Sequence, residues 1–148
     1  TPDLLVNNAA LFGQDGWDDM SGDTLDAHFR LNLFAPVLLR RAVDNLLDNA
    51  AKYSDAPVKL VVRVVPKPNL THVVFEVIDH GIGMSPEDLS RAFTPFWRAD
   101  GSRNRRTGGV GLGLALARRI ARAHGGDVEL TSTPGAGTVA RLDVPITT

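Results

Sequence analysis

The sequence predicts an α+β fold in which a largely antiparallel sheet packs against amphipathic helices. Two observations support this prediction: two pairs of predicted strands are joined by short turns, and three segments repeat apolar residues at helical spacing. With 148 residues, of which 43% are hydrophobic and 22% charged, the chain is long enough to bury a substantial core. We therefore expect residues 1–148 to form a single domain.

The composition argues against several classes of function. A net charge of −1 supplies no strong positive field, so we expect neither a nucleic-acid partner nor binding to an anionic membrane. With no cysteine, the chain has no disulfide, thiol nucleophile or cysteine-ligated zinc, which fits a reducing compartment. No apolar run approaches the roughly 20 residues that span a bilayer. We therefore expect a cytoplasmic protein.

The N-terminal part of the chain predicts a strand, a loop and a helix. Residues 4–6 are a short apolar run that suits a buried strand, and residues 11–22 are polar and contain glycine, as loops do. Ser21 or Asp23 can cap the helix that follows, since both side chains accept hydrogen bonds from free N–H groups. Pro36 is expected to interrupt that helix or to start a new one, because proline is tolerated only in a first turn.

A long helix is predicted from Pro36 to about Tyr53. Its leucine, valine and alanine residues recur at helical spacing and form one core-facing stripe. On another side, Asn45 and Asn49 lie four residues apart, and Lys52 and Tyr53 follow at the next turn, so these polar residues share a face.

Two hairpins account for the predicted sheet. Residues 58–65 and 71–78 are rich in valine and flank a Pro-Lys-Pro-Asn turn, and residues 128–131 and 139–144 flank a Pro-Gly-Ala-Gly turn. The first hairpin places Asp79 at the end of a strand.

Two glycine clusters, residues 79–83 and 109–113, bracket a short predicted helix that begins at Ser85 and a long loop at residues 94–108. The second cluster opens a helix, and a glycine-rich loop at a helix N-terminus offers free N–H groups and a positive dipole end to phosphate. Asp79, in the first cluster, can accept a hydrogen bond from an amino group such as adenine N6. The clusters therefore predict a nucleotide held between them.

These residues also have ordinary structural explanations. Two asparagines on a helix most often belong to a solvated face, and an aspartate after a strand is most often a turn residue. The arginines of the long loop fit a solvated surface equally well: Arg98, Arg103, Arg105 and Arg106. The choice between the two explanations depends on how the motifs are ordered along the chain.

Five motifs, in order, resemble those of the catalytic ATP-binding domain of sensor histidine kinases, in the Bergerat ATPase superfamily. Its N-box resembles residues 44–54 (DNLLDNAAKYS), its first glycine box 79–84 (DHGIGM), its F-box 93–98 (FTPFWR), its second glycine box 109–114 (GVGLGL) and its glycine–threonine motif 135–138 (GAGT). Each motif alone is weak, because short glycine patterns recur by chance, but five in the family's order are specific.

The resemblance implies a mixed sheet with helices on one face and ATP between the N-box helix and a lid. It implies that Asn49 holds Mg²⁺ with Asn45 beside it, and that Asp79 recognises the adenine amino group. The implied ATP-binding residues are Asn45, Asn49, Lys52, Tyr53, Asp79, Gly81, Gly83, Arg98, Arg105, Gly109, Gly111, Leu112, Gly113 and Thr138. It also implies partners outside this chain: a dimerisation domain carrying the phosphoacceptor histidine, and a response regulator.

A second resemblance covers residues 1–38. Residues 3–10 resemble the Asn-Asn-Ala-Gly strand end of short-chain dehydrogenases, and residues 26–36 resemble the helix that follows it, with Asn32 at the active-site asparagine. Other parts of that family's site are missing, since no glycine-rich dinucleotide fingerprint precedes the strand. Oxidoreductase activity is therefore not expected.

The two resemblances meet inside one helix, and our hypothesis is an engineered or recombined chimera. A dehydrogenase-like strand, loop and helix (residues 1–38) would replace the N-terminal strand of the kinase-like segment (residues 39–148). Residues 4–6 would then join the sheet beside a kinase-derived strand.

The sequence therefore predicts a module that binds ATP and Mg²⁺ but lacks the phosphoacceptor, because none of its four histidines is followed by the acidic residue typical of that position. In isolation we expect nucleotide binding, slow hydrolysis at most, and no autokinase activity. One alternative is a folded chimera without activity that self-associates through exposed apolar surface. The weakest alternative is a remnant of a dinucleotide-binding oxidoreductase.

Overall fold

The computed structural model describes residues 21–66, 71–98 and 109–146. The chain divides into two compact units, Thr1–Arg40 and Arg41–Thr148. Within the described part, no helix is both long and apolar enough to cross a lipid bilayer.

In the first unit, a helix, a π-helical turn and the start of a second helix follow one another. Helix α1 spans Gly22–Phe29, the π-helical turn spans Arg30–Phe34, and helix α2 begins at Ala35. The π-helical turn is the interruption predicted at Pro36. Proline lacks an N–H donor, and in a regular α-helix its ring would collide with the carbonyl of the residue four positions earlier, which here lies inside the turn. Widening of the backbone to π geometry relieves that collision.

Apolar side chains of the first unit are exposed. They are Leu25, Phe29, Leu33, Phe34, Val37 and Leu38. Apolar surface of this kind tends to associate with other apolar surface. The predicted strand at residues 4–6 and most of the predicted loop at residues 11–22 lie outside the described residues.

Helix α2 spans Ala35–Tyr53, in agreement with the spacing of its apolar residues. Within the second unit its buried stripe consists of Ala42, Leu46 and Ala50, which recur every four residues. Three buried side chains one turn apart hold the helix by a single face.

The described residues of the second unit form a four-stranded sheet with the strand order β1-β2-β4-β3. Its strands are β1 (Lys59–Pro66), β2 (Thr71–Asp79), β3 (Asp127–Thr133) and β4 (Gly137–Ile146). Both predicted hairpins form, and antiparallel pairing of β2 with β4 joins them. The predicted α+β class with a largely antiparallel sheet is confirmed.

Most of the buried side chains of the sheet project from one of its faces. Val77 of β2, Leu142 of β4 and Val128 of β3 project from this face, and each is at most 1% exposed. Helix α4 (Gly113–Ala123) contacts β3 and β4, and its Ala117 and Ala121 are fully buried. Small side chains on α4 let the helix approach the strands closely.

Strand β1 lies at an edge of the sheet, and within the described residues it pairs only with β2. Leu60, Val62 and Val64 project from β1 on the same side as Val77, yet they are 43%, 54% and 64% exposed. An edge strand with exposed apolar side chains can pair with another chain.

In the described part of the chain between the hairpins lie two helices. Helix α3 spans Pro86–Arg91, and the Ser85 hydroxyl caps it by accepting a hydrogen bond from the Asp88 N–H at 3.1 Å. Helix α4 begins at Gly113, at the end of the second glycine cluster. Both helix starts agree with the sequence prediction.

An ion-pair cluster ties the second half of α4 to the start of β3. Arg118 donates to both carboxylate oxygens of Asp127, at 2.7 and 3.0 Å, and Arg122 donates to the same two oxygens at 3.2 and 3.1 Å. The backbone N–H of Val128 adds a bond of 2.8 Å. The pKa of Asp127 lies well below its ordinary value of 3.8, mainly because Arg118 donates hydrogen bonds to the ionised carboxylate.

We expect Asp127→Asn to lower the free energy of unfolding by about 1 kcal/mol at pH 7, which corresponds to roughly 3 °C in Tm. The loss is small because the side chains of Arg118 and Asp127 are 31% and 38% exposed, so water screens the pair. Thermal melts of both proteins between pH 7 and pH 3 measure the effect.

The sign of the pH dependence follows from the depressed pKa. The folded state favours the ionised carboxylate, so its contribution is complete above 3.8 and declines as the pH falls below that value. The difference in Tm between the native protein and the variant should therefore shrink in acid. A difference of the same size at pH 3 and pH 7 would show that the ion pairs do not cause it.

Candidate functional site

A cavity of about 430 Å³ lies in the second unit, among α2, the loop after β2, α3 and the start of α4. This volume falls within the roughly 300–1,000 Å³ of small-molecule sites. The residues lining the cavity are Asn45, Asp48, Asn49, Lys52, Tyr53, Asp79, Ile82, Gly83, Met84, Asp88, Ala92, Trp97, Arg98, Gly109, Val110, Gly111, Leu112, Gly113, Leu114 and Thr138.

Helix α2 contributes a row of polar side chains to the cavity, because Asn45, Asn49, Lys52 and Tyr53 recur at helical spacing along one face. Asn45 lies next to the start of α4: a Cβ built on Gly113 would lie 3.6 Å from Asn45 Oδ1. The other amide atom, Asn45 Nδ2, is buried and has no hydrogen-bond partner within the described residues. Such a donor is available to a hydrogen-bond acceptor that enters the cavity.

Asp79 ends β2 and is only 6% exposed. Both hydrogen bonds that its carboxylate makes within the described residues fall on Oδ1, from the Gly81 N–H at 2.8 Å and from the Thr138 N–H at 3.3 Å. A carboxylate accepts but does not donate, so Oδ2 is left as an acceptor for a ligand that presents a donor.

The loop after Asp79 packs directly on the end of α2. The Ile82 N–H donates to the Tyr53 carbonyl at 3.1 Å, and a Cβ built on Gly81 would lie 1.9 Å from the same oxygen. Only glycine fits at residue 81, because any side chain would overlap the backbone of Tyr53. Gly81 thus brings the loop and α2 together without lining the cavity itself.

The loop predicted at residues 94–108, which corresponds to the lid of the resemblance, is described up to Arg98, and the chain on either side of residues 99–108 lines the cavity. Phe96 N–H donates to the Gly111 carbonyl at 2.9 Å, and Arg98 Nη1 donates to the Gly109 carbonyl at 3.0 Å. These bonds hold together the chain on either side of residues 99–108, which lie outside the described residues. Phe96 has a φ of +63°, which is unusual for an aromatic residue, and it is 69% exposed.

Two contacts between arginines and aromatic rings support the same segment. The guanidinium of Arg118 lies 4.4 Å from the ring centroid of Phe93, and that of Arg91 lies 5.6 Å from the ring centroid of Trp97. Both distances suit cation–π attraction. Trp97 lines the cavity, so the pair with Arg91 bears directly on the cavity wall.

Most residues predicted for the site line this one cavity. The exceptions are Gly81, which does not line it, and Arg105, which lies outside the described residues together with Arg103 and Arg106. Asn49, Asp79 and Gly111, which come from three separate motifs, share the cavity.

The cavity also contains residues that the sequence prediction did not select. Asp48 and Asp88 add carboxylates, while Ile82, Met84, Val110 and Leu114 add apolar surface. Asp48 follows Asn45 by three residues, so helical spacing was a signal that could have found it. Asp88 had no such signal, because the position of α3 at the cavity depends on tertiary packing.

The fold and the cavity together define a class of protein: α+β domains in which a helix face, a strand end and a glycine-started helix surround one pocket. Comparison with family models identifies the family. The model of the histidine kinase-, DNA gyrase B- and HSP90-like ATPase family matches residues 35–148, and the chain belongs to this family.

Curated relatives are sensor histidine kinases. The sensor-like histidine kinase SenX3 of Mycobacterium tuberculosis is 40% identical over 108 residues, which cover 73% of this chain and 26% of the relative. The sensor histidine kinase YkoH of Bacillus subtilis is 40% identical over 105 residues, which cover 70% of this chain and 22% of the relative. The chain spans about a quarter of the length of these relatives.

Two solved structures share the fold. Full-length ShkA in complex with AMPPNP has a TM-score of 0.61 and 30% identity, over 75% of this chain and 22% of ShkA. The mycobacterial sensor histidine kinase MprB has a TM-score of 0.56 and 30% identity, over 71% of this chain and 68% of MprB. The histidine kinase-like part of the sequence prediction is confirmed.

The second resemblance receives no support from these comparisons. The family match begins at residue 35, and the relatives named above are histidine kinases. The dehydrogenase-like strand end at residues 3–10 lies outside the described residues. The fused dehydrogenase fragment and the chimera therefore stay hypotheses.

Proposed function

We propose that the chain is the ATP- and Mg²⁺-binding catalytic domain of a sensor histidine kinase and that the phosphoacceptor histidine lies on a separate domain or partner. The observation that supports it most strongly is that Asn49, Asp79 and Gly111, from three motifs far apart in sequence, line one cavity. The complex of ShkA with AMPPNP supports nucleotide as the ligand. The response regulator and the cytoplasmic location belong to the same proposal.

The roles proposed for the base-binding residues follow from their hydrogen-bonding capacity. Asp79 Oδ2 accepts from the exocyclic amino group of adenine, because Oδ1 is already engaged by Gly81 and Thr138. Ile82 and Met84 supply apolar surface beside the base. Tyr53 packs near the base or ribose.

The roles proposed for the phosphate-binding residues follow from charge and from the dipole of α4. Backbone N–H groups at Gly111 and Gly113, at the N-terminal end of α4, receive the triphosphate. Lys52 contributes a point charge, and Arg98 of the described arginines is the candidate for a phosphate contact from the lid. Arg105 is a further candidate from the sequence. Phosphoryl transfer depends mainly on such positioning and charge neutralisation, so little covalent chemistry falls to the chain.

The donor set of α2 fits Mg²⁺ bound together with phosphate. The carboxamide oxygen of Asn49 is an acceptable hard ligand, and the buried Nδ2 of Asn45 is suited to a phosphate oxygen. Bound Mg²⁺ would neutralise charge on the phosphates. Asn49 would hold it, with Asn45 beside it.

A thermal titration tests the proposal. ATP with Mg²⁺ at about 100 times its Kd should raise the free energy of unfolding by about 2.7 kcal/mol. For a chain of this size that is a Tm increase of roughly 5–10 °C. No increase at millimolar ATP and Mg²⁺ would favour the alternative of a folded chimera without activity.

The Asn49→Ala variant separates the metal from the nucleotide. We expect it to lose most of the additional shift that Mg²⁺ gives with ATP, and to keep the shift given by ADP without metal. Asp44→Ala, on the exposed side of the same helix, is the matched control and should keep both shifts. If Asn49→Ala responds to Mg²⁺ as the native protein does, Asn49 is not the ligand.

One observation favours the alternative. Leu60, Val62 and Val64 expose apolar surface on an edge strand, and the first unit exposes further apolar side chains, so self-association is expected for an inert chimera. Static light scattering in the absence and presence of nucleotide distinguishes the two. A stabilising response to NADH but not to ATP would instead indicate the oxidoreductase remnant.

A further inference from the structure

Three polar residues form a row across the ends of three strands. Asp79 of β2 pairs with Thr138 of β4, and Thr138 pairs with Ser132 of β3. In an antiparallel sheet, directly paired residues project on the same face, so the three side chains lie side by side. Asp79 and Thr138 line the cavity, whereas Ser132 does not.

Ser132 uses its hydroxyl to join two parts of the cavity wall. Its Oγ accepts a hydrogen bond from the Met84 N–H at 2.8 Å, and it lies 2.9 Å from both the Gly137 carbonyl and Thr138 Oγ1. Met84 belongs to the loop after β2, and Gly137 begins β4. Ser132 therefore holds the loop that follows Asp79 against the strand that carries Thr138.

The proton positions in this network follow from what each group can do. A serine hydroxyl has one proton and two lone pairs, and a carbonyl can only accept, so Ser132 donates to Gly137. One lone pair accepts from the Met84 N–H. The remaining lone pair can only accept, so the Thr138 hydroxyl must donate to Ser132.

This assignment determines what Thr138 presents to the cavity. Because the Thr138 proton is directed at Ser132, the lone pairs of Thr138 Oγ1 remain for a ligand. Asp79 Oδ2 is an acceptor as well. The inner end of the cavity thus offers acceptors from both side chains, and it favours a base edge that carries an amino group over one that carries a carbonyl oxygen.

We propose that Ser132 is a positioning residue for base selection: by fixing the Thr138 hydroxyl as an acceptor and holding the loop at Met84, it makes the cavity select a 6-aminopurine over a 6-oxopurine nucleotide. The inference rests on the proposed function, since it assumes that a purine nucleotide binds here. Ser132 itself need not touch the ligand. It acts through Thr138 and Met84.

The test compares ADP with IDP, both without metal, by isothermal titration calorimetry. Removal of the hydroxyl in Ser132→Ala frees the Thr138 proton, which can then donate to the 6-oxo group of IDP. We expect the Kd for ADP to rise by roughly 5- to 10-fold and the preference for ADP over IDP to fall by a similar factor. Ser132→Thr keeps a hydroxyl and should retain most of the preference.

The matched control is Thr131→Ala. Thr131 precedes Ser132 in β3, projects on the opposite face and is exposed, so this variant should keep the affinities for both nucleotides.

A second test variant is Thr138→Val, which should also lower the preference for ADP over IDP, because it removes the acceptor that Ser132 orients. In the Thr138→Val background, Ser132→Ala should change the preference for ADP little further, since the two residues act through one group.

The outcomes are distinguishable. If the native protein binds ADP and Ser132→Ala lowers only the Tm of the free protein, with the preference for ADP unchanged, the role of Ser132 is structural and the inference is wrong. If Ser132→Ala does not fold, Thr138→Val takes its place, and an unchanged preference for ADP over IDP in that variant overturns the inference. If the native protein binds neither nucleotide, the proposed function fails instead.

Discussion

Asp79→Asn is expected to weaken ADP binding by roughly 30- to 150-fold, a loss of about 2–3 kcal/mol. Two backbone N–H groups, from Gly81 and Thr138, both donate to Oδ1, so the oxygen of the asparagine amide must take that position. The NH₂ group is then forced toward the cavity, where it opposes the amino group of adenine instead of accepting from it. Calorimetric titration with ADP in the absence of metal measures the loss.

The same reasoning predicts that Asp79→Asn lowers the preference for ADP over IDP, because an NH₂ group at this position can donate to the carbonyl oxygen of IDP. Asp55→Asn, at an exposed position after α2, removes the same charge outside the cavity and should bind ADP as the native protein does. Equal ADP affinity in the two variants would contradict the role given to Asp79. A melt of each variant checks that the fold is intact.

Gly137→Ala is expected to lower the free energy of unfolding by about 3–5 kcal/mol. Gly137 has a φ of +100°, and a Cβ built there would lie 2.1 Å from the carbonyl oxygen of Asp79. The alanine therefore adds a collision with the β2 backbone to the cost of its left-handed conformation. Chemical denaturation of native and variant protein measures the difference.

Gly135→Ala, in the same turn, is the control that separates the two costs. Gly135 has a φ of +75°, but a Cβ there would meet nothing within 4 Å. Only the conformational cost of about 1–2 kcal/mol applies. Similar losses for the two variants would mean that the close approach of Gly137 to Asp79 does not contribute.

The hairpins and helices could be predicted because they depend on neighbours in the sequence. Valine-rich runs around turns rich in proline and glycine predicted β1 with β2 and β3 with β4, and apolar spacing predicted α2 and α4. The polar face of α2, with Asn45 and Asn49, follows from the same helical period. The form of the break at Pro36, a π-helical turn, could not be predicted, because proline is compatible with several helix endings.

Other parts of the site could not be predicted because their meaning depends on distant partners. Ser132 is read from the sequence as one of several polar residues in a short strand. Its importance comes from the bond to Met84, 48 residues earlier, and from its pairing with Thr138. Asp127 likewise begins a strand without any local sign that two arginines of α4 converge on it.

By itself the sequence determined which segments become helices and strands, and which residue types could meet a nucleotide, because periodicity, turn chemistry and glycine spacing are local properties of the chain. Only the tertiary structure decided that Asn49, Asp79 and Gly111 share one cavity, and which groups there accept and which donate. The physical reason is that the pairing of β2 with β4 brings together residues up to 75 positions apart, such as Thr71 and Ile146. Which group of the cavity accepts and which donates depends on that pairing and not on neighbours along the chain.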